Sequence, residues 1–318
     1  MNIKHLKALI AIAEAGSITR AAEQIFIAQP ALSQRLSALE DEVNTKLFIR
    51  SRQGVVLTDA GKKLYGHAKH IVKFAEEALE EMRAEEQLPS GTVSIGCQVS
   101  LTKVLGGRII EAVQEKFPNI VINFISGLSG EIYKSLANSE IELGIVHKDV
   151  YVCHKNDIQH CESLFSTSTL EYVDLFKEEI LFCSPSDPSN SEPQNGCLVE
   201  QLSQSKLVLP PTDHAITRCV RWVLDNYGGP FEPVAYSTSP DVIFDMIGKG
   251  RVASFLPEYA ILHRPDSKTL NYGRIGDFEI YRTLILCGSP HADMHASTRM
   301  VREVIVDVAA QFRKENQS

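Results

Sequence analysis

Residues 16–36 read Gly16-Ser17-Ile18-Thr19-Arg20-Ala21-Ala22-Glu23-Gln24-Ile25-Phe26-Ile27-Ala28-Gln29-Pro30-Ala31-Leu32-Ser33-Gln34-Arg35-Leu36, and this run decides the fold of the N-terminal unit. Upstream of it Leu6, Leu9, Ile10 and Ala13 fall at i, i+3, i+4 and i+7, the apolar face of a helix that Gly16 ends. Ser17 is a natural cap for a second short helix, whose paired alanines Ala21-Ala22 suit close packing against another helix. Gln29-Pro30 opens a third, with proline at a favoured first-turn position and Leu32, Leu36 and Leu39 along one face. Three short helices in about 45 residues are predicted.

Working outward, Leu47-Phe48-Ile49-Arg50 and Gly54-Val55-Val56-Leu57 are two β-prone runs separated by Ser51-Arg52-Gln53, which predicts a small hairpin, a wing beside the three helices. Thr58 offers the next N-cap, and Leu64, Ala68, Ile71, Ala75, Ala78 and Met82 repeat with the alternating spacing of a coiled-coil seam. A helix of about 30 residues would be roughly 45 Å long. Its apolar stripe has nothing local to cover it, so it is expected to pair with a second copy; the alternative is that it packs on its own domain. Pro89-Ser90-Gly91 breaks it.

Beyond residue 91 short apolar strands alternate with helices. Strands are predicted at 92–96, 120–125, 143–146, 179–183, 206–209, 234–236, 252–256 and 284–287, and helices at 102–116, 130–137, 216–226, 242–247 and 298–313. That alternation predicts an α/β unit with a mostly parallel sheet, too large for one lobe and better divided into two. Residues 149–173 are the least regular stretch and 186–195 a Pro/Ser/Asn loop, both expected as surface excursions.

The 318 residues, 44% hydrophobic and 23% charged, are ordinary for folded domains and argue against disorder. The N-terminus lacks a secretory pattern and no run approaches the roughly 20 apolar residues of a membrane helix, so a cytoplasmic location with no membrane partner is expected. Net charge is −8, but residues 1–63 carry nine basic against six acidic side chains, +3, which leaves −11 on the rest. A mildly basic head on an acidic body fits a first domain that meets phosphates. Seven scattered cysteines without a CxxC pair argue for reduced thiols. Cys153-His154 and His160-Cys161 match no standard zinc spacing, and neither a metal site nor a redox switch is expected of them. No GxxxxGK[ST], HExxH or GxSxG occurs. Gly248-Lys249-Gly250 with Ala253 fits GxGxxA but precedes a strand, so it fails as a dinucleotide loop; no catalytic residue and no cofactor are expected.

With these motifs in place the chain resembles the LysR-type family of transcriptional regulators over nearly its whole length. The N-terminal run, Leu39-Glu40, Leu47-Phe48-Ile49-Arg50 and Leu57-Thr58-Asp59-Ala60-Gly61 sit at the family's spacing. In the body Ser90-Gly91-Thr92-Val93-Ser94-Ile95-Gly96, Phe117-Pro118-Asn119-Ile120 and the segment from Gly248 to Pro257 are similar to family elements. The resemblance implies a winged helix-turn-helix at 1–58, a dimerisation helix at 59–89 and an effector-binding domain at 90–318, with lobe I at about 90–175 and 276–318 and lobe II at about 176–275. It implies a homodimer or homotetramer on double-stranded promoter DNA, working with RNA polymerase.

A recognition helix reads base edges from its N-terminal residues. Gln29, Ser33 and Gln34 can hydrogen-bond there; the resemblance gives Gln29 and Ser33 that role and adds Pro30 at the helix start. Thr19, Arg20 and Arg35 are expected near phosphates, with Arg50 and Arg52 reaching from the wing. Taken singly such residues are often just a solvated face; the complete run outweighs that. Two α/β lobes resemble periplasmic binding proteins, where ligands lie beyond the carboxyl ends of strands. Gln98, Ser100, Leu101, Thr102, Ser129, His147, Thr212, Ser237 and Ser239 follow strand ends and are the candidate effector residues, with an anion such as a carboxylate as ligand. Any one of these hydroxyls also serves as a cap. The rivals are a regulator whose body has lost its ligand, and a solute-binding or enzymatic protein with an incidental helical head.

Overall fold

Asn2 opens α1 (Ile3–Ala15) by accepting the His5 N–H at 3.0 Å, and Gly16, at φ 61°, closes it by donating to the Ile12 carbonyl. Helices α2 (Ile18–Gln24) and α3 (Gln29–Glu42) follow, the second with Pro30 in its first turn. The structure is a computed structural model describing residues 2–51, 54–83, 89–154, 157–163, 170–186, 199–202, 205–229, 231–289 and 295–316. Leu6, Leu9, Ile12, Ala21, Ala22, Leu32, Leu36 and Leu39 meet in one core, so the predicted faces of all three helices turn inward together. Strands β1 (Phe48–Ser51) and β2 (Gly54–Leu57) pair antiparallel as the predicted hairpin, Phe48 opposite Leu57.

Helix α4 (Asp59–Arg83) starts where Thr58 caps it, its hydroxyl accepting the Gly61 N–H and donating to the Lys46 carbonyl, both at 2.9 Å. A Cβ on Gly61 would lie 2.1 Å from the Leu47 carbonyl oxygen, so glycine lets the helix begin flush against the hairpin. The expectation that nothing local covers its stripe is corrected over the first half: Leu64, Ala68 and Val72 belong to the head core, because the first turns of α4 roof α1. Ile71, Phe74 and Leu79 stay exposed, and the Met82 side chain lies outside the described residues. The same helix touches the body. His70 Nε2 lies 2.6 Å from the Ser139 carbonyl, and Lys73 Nζ donates to the Thr92 carbonyl at 2.8 Å and to Glu142 at 3.0 Å.

The body begins with β3 (Gly91–Gln98), α5 (Val99–Lys116), β4 (Ile120–Gly127) and α6 (Ser129–Ala137). Then come β5 (Leu143–His154), β6 (Asp157–Ser163), β7 (Tyr172–Pro185), α7 (Val199–Leu202), β8 (Val208–Leu209) and α8 (Ala215–Val223), the last running on into a π-helical turn (Leu224–Gly228). It ends with β9 (Ala235–Tyr236), α9 (Pro240–Gly248), β10 (Ser254–Pro257), α10 (Glu258–Leu262), β11 (Leu270–Gly273), β12 (Phe278–Gly288) and α11 (Ala296–Asn316).

The main sheet runs β10-β7-β12-β5-β3-β4, with β11 on β7 and β6 on β5; β8 and β9 pair separately. The mostly parallel expectation is corrected: β3–β4, β3–β5 and β8–β9 are parallel, whereas β12, β7, β10, β11 and β6 join antiparallel. β5, β7 and β12 are 12, 14 and 11 residues long and pass from one lobe into the other, and β12 runs antiparallel between the other two, so the expected strand-helix-strand alternation does not carry across the lobes. Register shifts at Thr283/Leu284 and Leu284/Ile285 mark the passage. One core gathers Ile95, Leu101, Ile109, Ile145, Leu284, Val304 and Phe312; a second gathers Val150, Val152, Ile180, Val220, Phe255 and Ile280. The stretch 149–173, expected to be irregular, therefore carries the far half of β5 and the edge strand β6, with residues 164–169 outside the described ones.

Glu40 joins α3 to the hairpin: Oε1 accepts the Leu47 N–H at 2.9 Å and Oε2 the Lys46 ammonium at 2.7 Å. Burial pushes its carboxyl up, but these bonds together outweigh it and hold the group below its ordinary range. A carboxyl whose folded value is depressed stabilises the fold above its unfolded value and loses that contribution as pH falls through the folded one. Glu40→Gln is expected to cost about 1.5–3 kcal/mol at neutral pH. Hydrogen exchange of head amides at pH 7 and at low pH checks it, the gap between variant and native protein closing in acid.

Candidate functional site

Two surfaces carry the predicted residues. On the head, α3 turns Leu32, Leu36 and Leu39 inward and leaves Gln29, Pro30 and Gln34 exposed, with Ser33 and Arg35 half-buried beside them. Thr19 and Arg20 are exposed on the first turn of α2, where Ser17 caps the Arg20 N–H at 3.5 Å. Ala28 occupies the N-cap of α3 and supplies no side-chain acceptor, so the first turn is closed by backbone bonds alone, the Ala31 and Leu32 N–H groups donating to the Ala28 carbonyl at 2.9 and 3.1 Å. Phe26, at φ 55° in the turn before it, is 94% exposed. Arg52 and the Arg50 side chain lie outside the described residues.

The second surface is a cleft between the lobes of about 470 Å³, open mouth included, lined by Gln98, Val99, Ser100 and Leu128 from one lobe, His214, Ser237 and Thr238 from the other, and Arg282 beneath. The structure brings Gln98, Ser100 and Ser237 of the predicted set into it. Leu101 is buried in the first core, since the period of α5 turns it inward. The Thr102 hydroxyl donates to the Gln98 carbonyl at 3.3 Å and lies 3.0 Å from the Ser126 hydroxyl, which can donate to it, as a helix-start side chain. Ser129 and His147 are buried and bonded to each other at 3.0 Å, close behind the lining, with the His147 ring 6.5 Å from that of His214. Ser239 caps α9 through the Val242 N–H, and Thr212 is exposed away from the lining.

Sequence reasoning missed the group with the strongest charge. Arg282 on β12, 2% exposed, lines the cleft; its Nε donates to Glu178 Oε2 at 2.7 Å, its Nη2 reaches the same oxygen, and Nη2 donates to Ser100 Oγ at 3.0 Å. Glu178 on β7 is fully buried and also accepts the Tyr259 N–H at 3.2 Å. Burial pushes its carboxyl above the ordinary range, against the pull of Arg282 and that N–H. No local signal marked the pair: Glu178 is one of three consecutive charges, Lys177-Glu178-Glu179, ahead of Ile180-Leu181-Phe182, and Arg282 stands two residues before Leu284-Ile285-Leu286. His214 was missed by two residues when Thr212 was chosen; it caps α8 by accepting the Ile216 N–H at 3.3 Å.

Among the described cysteines Cys97, Cys183, Cys219 and Cys287 are buried in the cores. Burial pushes the thiols of Cys97, Cys183 and Cys287 up to about 12, so they stay protonated at neutral pH. His154 stacks on Phe278 with centroids 4.2 Å apart and meets Tyr227 edge-on. The side chains of His160 and Cys161 lie outside the described residues, and among the described ones no group of three or more His, Cys, Asp or Glu is placed to hold a metal ion. Among them, too, no helix is long and apolar enough to cross a membrane.

A winged three-helix head followed by two α/β lobes around a cleft defines a class of ligand-binding chains with a nucleic-acid-type head. The pattern of the bacterial regulatory helix-turn-helix protein, lysR family, matches residues 3–62 and that of the LysR substrate binding domain matches residues 86–310. The chain belongs to the LysR family, one of regulators and not of enzymes. It is 38% identical over 149 residues to the nitrogen assimilation regulatory protein nac of Escherichia coli (strain K12), a match covering 46% of this chain and about half, 49%, of that relative. Its fold is shared with a full-length, singly substituted OxyR from Pseudomonas aeruginosa (TM-score 0.69, 20% identity, 97% of this chain and 94% of that one). It is shared equally with full-length LysG from Corynebacterium glutamicum with bound effector Arg (TM-score 0.68, 17% identity, 98% and 99%).

Removing one member of a buried ion pair strands the other. Arg282→Met is expected to cost about 3–5 kcal/mol, measured by denaturant unfolding of the body. On the head, Ala28→Ser supplies the missing cap and is expected to add about 0.5–2 kcal/mol, read as slower hydrogen exchange along α3.

Proposed function

We propose that this chain is a ligand-controlled transcriptional regulator that binds promoter DNA through α3 and a small carboxylate-bearing effector between its lobes. The observation that carries the reading is the division of α3: one face is wholly committed to the head core, while the other presents Gln29, Ser33 and Gln34 at its start. Gln29 and Ser33 read bases; Thr19, Arg20, Arg35, Arg50 and Arg52 hold phosphates. The head ends near residue 58, the linker covers 59–89 and the effector domain 90–318. Packing of Val150, Val152, Phe278 and Ile280 with Val220 and Phe255 favours assigning the far halves of β5 and β12 to lobe II in addition to 176–275. The exposed Ile71, Phe74 and Leu79 of α4 favour pairing with a second copy, as a dimer or tetramer, with RNA polymerase as the downstream partner.

Helix α6 offers the path from ligand to DNA. Its first residue, Ser129, bonds His147 behind the cleft, and the turn after it places Ser139, at φ 56°, with its carbonyl against His70 of the linker helix. A ligand with different affinity for two positions of α6 would bias the linker and hence the spacing of paired heads.

Gln29→Ala is expected to lose about 1–3 kcal/mol of discrimination at one operator position. Arg20→Ala is expected to weaken binding to every sequence and to flatten the salt dependence by about 0.9 in slope. Fluorescence-anisotropy titrations on native and point-mutated operators at several salt concentrations test both; unchanged specificity in the Gln29 variant contradicts the base-reading role.

A further inference from the structure

Two buried groups in the cleft set the chemistry of what enters it. The first is Arg282, whose Nε and Nη2 are engaged by Glu178 and Ser100, while Nη1 bonds none of the described residues. The second is Gln98, 5% exposed at the end of β3; its Oε1 has no hydrogen-bond partner among the described residues. A buried acceptor left unbonded carries its full desolvation penalty unless a donor arrives. Both groups border one space, since Gln98 and Ser100 are two residues apart and Ser100 touches Arg282.

Charge then narrows the ligand. Arg282 and Glu178 together are neutral, so a carboxylate bound to the guanidinium leaves one uncompensated negative charge in a buried site, and a phosphate or dicarboxylate leaves more. A ligand that brings its own cation removes the imbalance. The rest of the lining is mainly apolar, with Leu128, Pro210, Ile216, Ile243 and Phe255 beside His214, Ser237 and Thr238, which suits an apolar side chain.

Resting on the reading of the cleft as the effector site, we infer that the effector is a zwitterionic α-amino acid with an apolar side chain. Its carboxylate meets Arg282 and Ser100, and its ammonium donates to Gln98 Oε1. Gln98 is the residue that separates amino acids from other carboxylates.

The test is calorimetric titration of the full-length protein with valine, leucine, isoleucine, methionine and phenylalanine. For the best of them, the des-amino acid and the amino-acid amide, which lacks the carboxylate, are titrated as well. The amino acid binds; the des-amino acid binds about 10- to 100-fold more weakly; the amide does not bind. Gln98→Leu brings the amino acid down to the level of the des-amino acid and leaves the latter unchanged, whereas Ser100→Ala weakens both alike. Equal affinity of amino and des-amino acid in the native protein, which needs no variant, overturns the inference and leaves the carboxylate reading standing. Binding of the amide as tightly as the acid overturns the carboxylate reading itself, and failure of all five amino acids overturns the inference.

Discussion

The cleft of this protein is organised around a fully buried ion pair at the place where its lobes meet. Glu178 on β7 and Arg282 on β12 lie on strands shared by both lobes, and the pair is tied to the start of α5 through Ser100 and to the start of α10 through the Tyr259 N–H. Taking two charges out of water is costly, and the mutual attraction repays this only when the remaining donors and acceptors are also satisfied. Here Glu178 has three donors within reach, while the guanidinium keeps one nitrogen for something else. An apolar pair of the same volume would hold the strands at least as well, so the charges are understood through what they bind.

The head is built on the opposite logic. Its core is apolar apart from the bonded Glu40 at its edge, and Gln29 and Gln34 of α3 are exposed. Affinity for a duplex and for a buried ligand demand different surfaces, and the chain keeps them apart along its length, joined by α4. That helix serves both ends: Ala68 and Val72 close the head, His70 and Lys73 rest on the body, and Ile71, Phe74 and Leu79 stay exposed.

The head was legible because its determinants are local. Gly16, Ser17, Pro30 and Thr58 act within a few residues of where they stand, and each does in the structure what its chemistry dictates. The body was legible in its elements and less so in its pairing. Val150 and Val152 alternate with Tyr151 and Cys153, a strand signal that polar neighbours obscured, and the direction of the long strands depends on partners far along the chain. The cleft was half legible. Strand ends located Gln98, Ser100 and Ser237, but Leu101 obeyed helical period and went inside. Arg282 could not be placed without its partner 104 residues away.

The central claim is that the buried guanidinium is held for a ligand and not for the fold. It is tested most directly by the double variant Glu178→Leu/Arg282→Met, in which an apolar pair replaces the charged one without stranding either charge. Thermal unfolding is measured with and without the apolar amino acids at saturating concentration. The account predicts a cooperatively folded double variant whose unfolding temperature no amino acid raises, beside a native protein that one of them stabilises. A double variant that is stabilised as strongly as the native protein would contradict it.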